Sequence, residues 1–115
     1  MPLSEGDQVR DFVHVDDVCE TLITLARSTA MPTLVNIGTG IGLSVRAVCE
    51  TIADVLGAPR DLLGFGERPY RAVDEKLLVA DVTLLSRHAK VPAQRWCSPD
   101  LLAKEINALA RNPSR

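Results

Sequence analysis

Arg10 stands directly before Asp11 in a segment of alternating apolar and polar residues. A guanidinium beside a strand end offers a planar fork matched to phosphate oxygens, and a surface ion pair with the neighbouring carboxylate accounts for the same two residues. Glu67-Arg68-Pro69-Tyr70-Arg71 carries two more arginines in an irregular stretch, where binding groups concentrate, although a solvated loop fits it equally well. Gly38-Thr39-Gly40-Ile41-Gly42 follows an apolar run and precedes a helical pattern. That is the order of a dinucleotide-binding turn, whose glycines let the backbone approach a pyrophosphate. The third glycine of that fingerprint belongs at position 43, where Leu43 stands, so a tight strand-to-helix turn is the better account. His14, Asp16 and Asp17 have metal-ligating chemistry, but no second cluster completes a four-ligand set, and helix capping explains the acids. No metal site is expected. Neither a G-x-S-x-G elbow nor a Cys–His pair can be argued, so no catalytic residue is assigned.

These groups depend on the elements that carry them. Val9, Val13 and Val15 alternate with Arg10, Phe12 and His14, which predicts a half-buried strand from Gln8 to Val15. Asp16 or Asp17 then caps a helix whose stripe is Val15, Val18, Cys19, Leu22, Leu25 and Ala26, ending near Ser28. Leu34 to Ile37 reads as a buried strand leading into the glycine turn. Ser44 caps the next helix, whose stripe runs from Val45 to Leu56 and stops at Gly57 and Pro59. Asp61 to Tyr70 is irregular or a short strand, Lys76 to Ala80 a short strand, and Asp81 caps a modest helix to about Ala89. Ser98-Pro99-Asp100 opens a last helix with Leu102, Ile106 and Leu109 on one side. The pattern is α/β, a small partial domain of short strands and about four helices.

Composition narrows the functions. Twelve valines, fifteen leucines and five isoleucines can fill a core, and 115 residues suit one domain spanning 1–115. Thirteen basic against 15 acidic side chains leave no electrostatic footprint for duplex DNA, and four aromatic residues are too few for a single-strand stacking platform, so no nucleic-acid partner is expected. Apolar runs such as Leu77–Ala80 are too short to cross a bilayer, and no secretory leader pattern opens the chain. Cys19, Cys49 and Cys97 are odd in number and form no C-x-x-C pair, which suits a reduced, cytoplasmic setting.

Taken together, the segments resemble the C-terminal part of the extended short-chain dehydrogenase/reductases, the nucleotide-sugar epimerase/dehydratase/reductase group. Arg10-Asp11-Phe12-Val13-His14-Val15-Asp16-Asp17-Val18 resembles that family's R-D-F/Y-I/V-H/Y-V-D-D-V segment. Val35-Asn36-Ile37-Gly38-Thr39-Gly40 resembles its strand and glycine turn, and Leu43-Ser44-Val45-Arg46 the start of the following helix. Arg71-Ala72-Val73-Asp74, ahead of Ala80-Asp81, resembles its R-P-x-D segment. The chain departs at Ala89-Lys90-Val91-Pro92, where the family has L-G-W-x-P.

The resemblance implies a substrate lobe for nucleotide-diphosphate sugars. Arg10 and Arg71 would approach the diphosphate and Asp74 the nucleoside, with Arg68 standing in if the loop is shifted. It also implies that NAD(P) is held by an N-terminal dinucleotide-binding half that this chain lacks. Tyr70 is the one tyrosine, and Asp74 occupies the lysine position of a Tyr-x-x-x-Lys, so no oxidoreductase activity is expected from this polypeptide alone. Two outcomes follow: a nucleotide-sugar-binding portion, or a relic without a small-molecule ligand that associates with itself or a partner. Strand edges left open by the missing half favour a two-fold homodimer.

Overall fold

The computed structural model describes residues 1–30, 32–69, 75–92 and 95–111. Its regular elements are β1 (Val9–Asp11), α1 (Val15–Ala26), β2 (Gly42–Ser44), α2 (Val45–Leu56), β3 (Leu77–Leu78) and α3 (Pro99–Arg111), with single 3-10 turns at Arg60–Leu62 and Leu85–Arg87. β1 is the centre of a three-stranded sheet in the order β2-β1-β3. β2 runs antiparallel to it, with Arg10 opposite Leu43, and β3 runs parallel, with Arg10 opposite Leu78. The α/β class stands, built from shorter strands than the alternation suggested.

α2 forms as its stripe and caps dictate. The Ser44 hydroxyl accepts from the Ala47 N–H at 3.2 Å, and Gly57 closes the helix in the left-handed region at φ 62°. α3 begins at Pro99, buries Leu102 and packs along α2. Leu77–Leu78 pairs within the strand expected from Lys76 to Ala80.

Four expectations are corrected. The strand at β1 ends at Asp11, not Val15, because the chain turns there to start α1. His14, not Asp16 or Asp17, caps that helix: its Nδ1 accepts from the Asp16 N–H at 3.2 Å. Leu34 to Ile37 is no strand, and Leu34 is 81% exposed. A strand exists only through a ladder, and no described segment pairs with this one. Gly42–Ser44, which lacks strand propensity, takes the place beside β1 instead. From Asp81 the chain makes an Asx-type turn, Asp81 Oδ1 accepting from the Thr83 N–H at 2.9 Å, then a single 3-10 turn in place of a helix.

Burial is sparse. Leu25, Ala53, Leu85 and Leu102 are the buried apolar residues among those described. The radius of gyration is 16.4 Å, against about 13 Å for a self-contained domain of this length, and the shortest axis extends only 20 Å. Most of the valine and leucine count is therefore at or near the surface of a thin slab. The stripe expected to bury α1 is split: Val15, Cys19, Leu22 and Ala26 are exposed, Val18 is half-buried, and Leu25 alone is buried, facing inward with Asp17 and Thr21.

Candidate functional site

β1 ends on Asp11, whose carboxylate gathers the surrounding loops. Its Oδ1 accepts from the Thr39 hydroxyl at 2.6 Å and the Thr39 N–H at 2.9 Å. Its Oδ2 accepts from the Gly40 N–H at 2.9 Å and the Ala80 N–H at 3.2 Å. Burial pushes the carboxyl group up, but the Thr39 hydroxyl and the N–H groups of Thr39, Gly40 and Ala80 outweigh it and hold it below the usual carboxylate range. Successive backbone N–H groups in such a turn form an anion-binding concavity. Here the anion is the chain's own side chain.

The glycines permit this closure. Gly40 sits at φ 74°, and a Cβ on Gly38 would fall 2.4 Å from the Ala80 Cβ and 2.6 Å from Asp11 Oδ2. Neither neighbour can swing aside, so Gly38→Ala is expected to cost about 2–3 kcal/mol by overpacking. Thermal unfolding followed by circular dichroism checks this; an unchanged midpoint would mean that the turn relaxes freely.

With Asp11 engaged, Arg10 is not its ion-pair partner. The Arg10 guanidinium donates to the Val9 carbonyl at 2.8 Å, and among the described residues no carboxylate pairs with it. Arg10 lines a cleft of 470 Å³ with Val35, Asn36, Ile37 and the β3 end at Leu78–Ala80. On the far side of Val35 and Asn36 a second cleft of 330 Å³ is bordered by Asp81, Thr83 and Arg87, and the Asn36 Nδ2 donates to the Asp81 carbonyl at 3.4 Å. The segment misread as a strand is thus the shared wall of two clefts.

Among the described residues, the predicted Arg68 does not join Arg10. Arg68 is exposed, its N–H donating to the Leu3 carbonyl at 2.9 Å, and it does not line the Arg10 cleft. Arg71 and Asp74 lie outside the described residues. The described chain resumes at Glu75, and the Lys76 carbonyl accepts from the Val9 N–H at 2.8 Å.

The residues weighed as metal ligands have structural partners of their own. The His14 ring caps α1 and meets Trp96 edge to face, centroids 5.6 Å apart. Asp17 is buried and bonds Arg95 at 3.0 Å. Among the described residues no three His, Cys, Asp or Glu side chains gather as a metal set. Sequence reasoning missed Arg95, Arg87 and Thr39. Thr39, between two glycines, was the one with a signal, since a hydroxyl in a tight turn seeks a nearby acceptor.

The family model for the NAD dependent epimerase/dehydratase family matches residues 1–38. The UDP-glucose 4-epimerase of Streptomyces lividans is 39% identical over 74 residues, which are 63% of this chain and 22% of that protein. The dTDP-glucose 4,6-dehydratase from Streptomyces venezuelae, solved with NAD and TYD bound, superposes with a TM-score of 0.76 at 24% identity, over 97% of this chain and 34% of that one. The UDP-glucose 4-epimerase from Bifidobacterium longum, in complex with NAD+ and UDP, gives 0.67 at 25% identity, over 92% and 31%. The chain therefore spans 22% of that curated relative and about a third, 31–34%, of these two solved structures. No described helix is long and apolar enough to cross a membrane.

Proposed function

We propose that this chain belongs to the extended short-chain dehydrogenase/reductases of the NAD-dependent epimerase/dehydratase family, forms one wall of a nucleotide-diphosphate-sugar site and is not catalytic alone. The observation that carries this reading is the release of Arg10 from Asp11. A guanidinium with no carboxylate partner among the described residues borders an open cleft, and such a group is suited to bidentate capture of a diphosphate. In this reading Arg71 supplies a second guanidinium and Asp74 turns toward the nucleoside. The complexes with UDP and TYD among the structural relatives support the ligand class.

A nicotinamide cofactor does not fit the glycine turn, because the N–H groups that would cradle its pyrophosphate are spent on Asp11. No hydride step is assigned to this chain. A cytoplasmic setting belongs to the same reading, and among the described residues the three cysteines form no disulfide.

The test is thermal stabilisation of the full chain by UDP- and dTDP-sugars. Arg10→Ala is expected to weaken binding about tenfold or more, as the loss of a charge-assisted pair requires, with the unfolding midpoint of the free protein unchanged. Arg68→Ala, outside the cleft, leaves affinity within a factor of about three. Absence of any midpoint rise at millimolar ligand overturns the reading.

The outward apolar face of α1 favours a second reading, in which the chain binds no small molecule and associates with itself. The strand edges first expected to mediate this are three and two residues long, at β2 and β3, and template little.

A further inference from the structure

We propose that the polar face of α1 builds a binding site for a small ligand carrying a primary ammonium group, separate from the Arg10 cleft. Asp17, Glu20, Thr21 and Thr24 follow the i, i+3, i+4, i+7 spacing of one helical face. All four line a cleft of 260 Å³ together with Lys90 and Arg95. Asp17 and Thr21 are buried and Glu20, Thr24 and Lys90 exposed, so the Asp17 carboxylate belongs to the floor and the freer side chains to the rim. Asp17 is 3% exposed; Arg95 holds its Oδ1 at 3.0 Å, and its Oδ2 has no hydrogen-bond partner among the described residues. A buried carboxylate oxygen without a donor costs free energy, and the cleft is where a donor can reach it. The chain encloses Asp17 by itself, so no outer covering surface is needed to complete the floor.

The chemistry of this wall selects an ammonium. The Thr21 hydroxyl donates to the Asp17 carbonyl at 2.7 Å and the Thr24 hydroxyl to the Glu20 carbonyl at 2.8 Å, so both protons are spent within the helix. What these hydroxyls still offer is lone pairs, and with the two carboxylates they make the α1 wall one of acceptors. A primary ammonium brings three donors and a positive charge, where a neutral hydroxyl brings one donor and no charge. A divalent cation is a poorer match. The Arg95 guanidinium already sets a positive charge beside Asp17, and no third His, Cys, Asp or Glu joins the pair among the described residues. Lys90 at the rim repels long polyamines, which limits the ligand to a compact one.

The test titrates the full chain with ethanolamine at neutral pH and constant ionic strength, followed by amide chemical shifts. A ligand of so few non-hydrogen atoms binds in about the millimolar range. The expected result is a saturable change centred on α1, Lys90 and Arg95. Ethylene glycol, with a hydroxyl in place of the ammonium, binds about tenfold more weakly or less. Asp17→Asn, its fold checked by circular dichroism, abolishes saturation, and Glu20→Gln on the exposed rim weakens it severalfold. Absence of a saturable change at tens of millimolar ethanolamine overturns the inference. An equal response to ethylene glycol overturns the ammonium assignment. Unchanged affinity in Glu20→Gln or in folded Asp17→Asn, or displacement of ethanolamine by a UDP-sugar, overturns its location.

Discussion

Asp11→Ala lowers the stability of the chain by about 3 kcal/mol, and the thermal midpoint falls by about 10 °C. The variant strands three N–H groups and a hydroxyl that one carboxylate now satisfies. Each lost charge-assisted bond is worth about 1.5–3 kcal/mol in isolation, and shared partners and water access at Gly40 reduce the sum. The same carboxylate makes stability depend on pH. Its folded pKa lies below the ordinary 3.8, so its contribution is fully present above about pH 4 and is lost as pH falls through the lower folded value. Asp11→Asn therefore flattens the acid limb of the stability profile. A residual slope remains, because Asp81 is lowered by its hydrogen bond from Thr83 and Asp54 by its hydrogen bond from Arg60. Coincident acid profiles for Asp11→Asn and the parent chain would show that the carboxylate is not the group that closes the loops.

Asp11 also connects stability to function. It ties the glycine turn and Ala80 to the end of β1, and the cleft lined by its neighbour Arg10 opens between that strand, Val35–Ile37 and Leu78–Ala80. Asp11→Ala is thus expected to remove both stability and ligand response, where Arg10→Ala removes only the response. The two adjacent residues that resemble a surface ion pair separate in the structure: the carboxylate ties the loops to β1, and the guanidinium donates to the Val9 carbonyl beside the cleft that Arg10 lines.

What could be read in the sequence was whatever rests on local rules. α2 is specified by Ser44, its apolar stripe and Gly57, all within one stretch, and the structure follows it. α3 follows its Ser-Pro-Asp opening for the same reason. Leu34–Ile37 failed because a strand needs a neighbour, and periodicity reports apolarity without reporting who pairs. α1 formed where expected but left most of its stripe exposed, since hydrophobic patterning finds the face that seeks burial without reporting what covers it. The Arg10 cleft and the Asp17–Arg95 pair join residues remote in sequence, and no spacing rule addresses those.

Arg95→Ala is expected to be the most damaging truncation of a charged residue other than Asp11, at about 2–4 kcal/mol. Asp17 is 3% exposed, its Oδ1 bonds Arg95 at 3.0 Å, and among the described residues its Oδ2 has no hydrogen-bond partner. Removing the guanidinium leaves a buried carboxylate uncompensated, which costs about 3–5 kcal/mol in a closed interior. Arg95 is 36% exposed, so entering water returns part of that cost. Asp17→Asn keeps the shape and deletes the charge, and the freed guanidinium can reach solvent, so its cost stays below about 1.5 kcal/mol. The Asp17→Asn/Arg95→Ala double variant recovers most of the Arg95→Ala loss, which is the signature of stranded charge rather than lost packing. Denaturant titration gives the free energies, and Trp96, the one tryptophan, reports locally from its edge-on contact with His14. A double variant no more stable than Arg95→Ala would sink the charge argument.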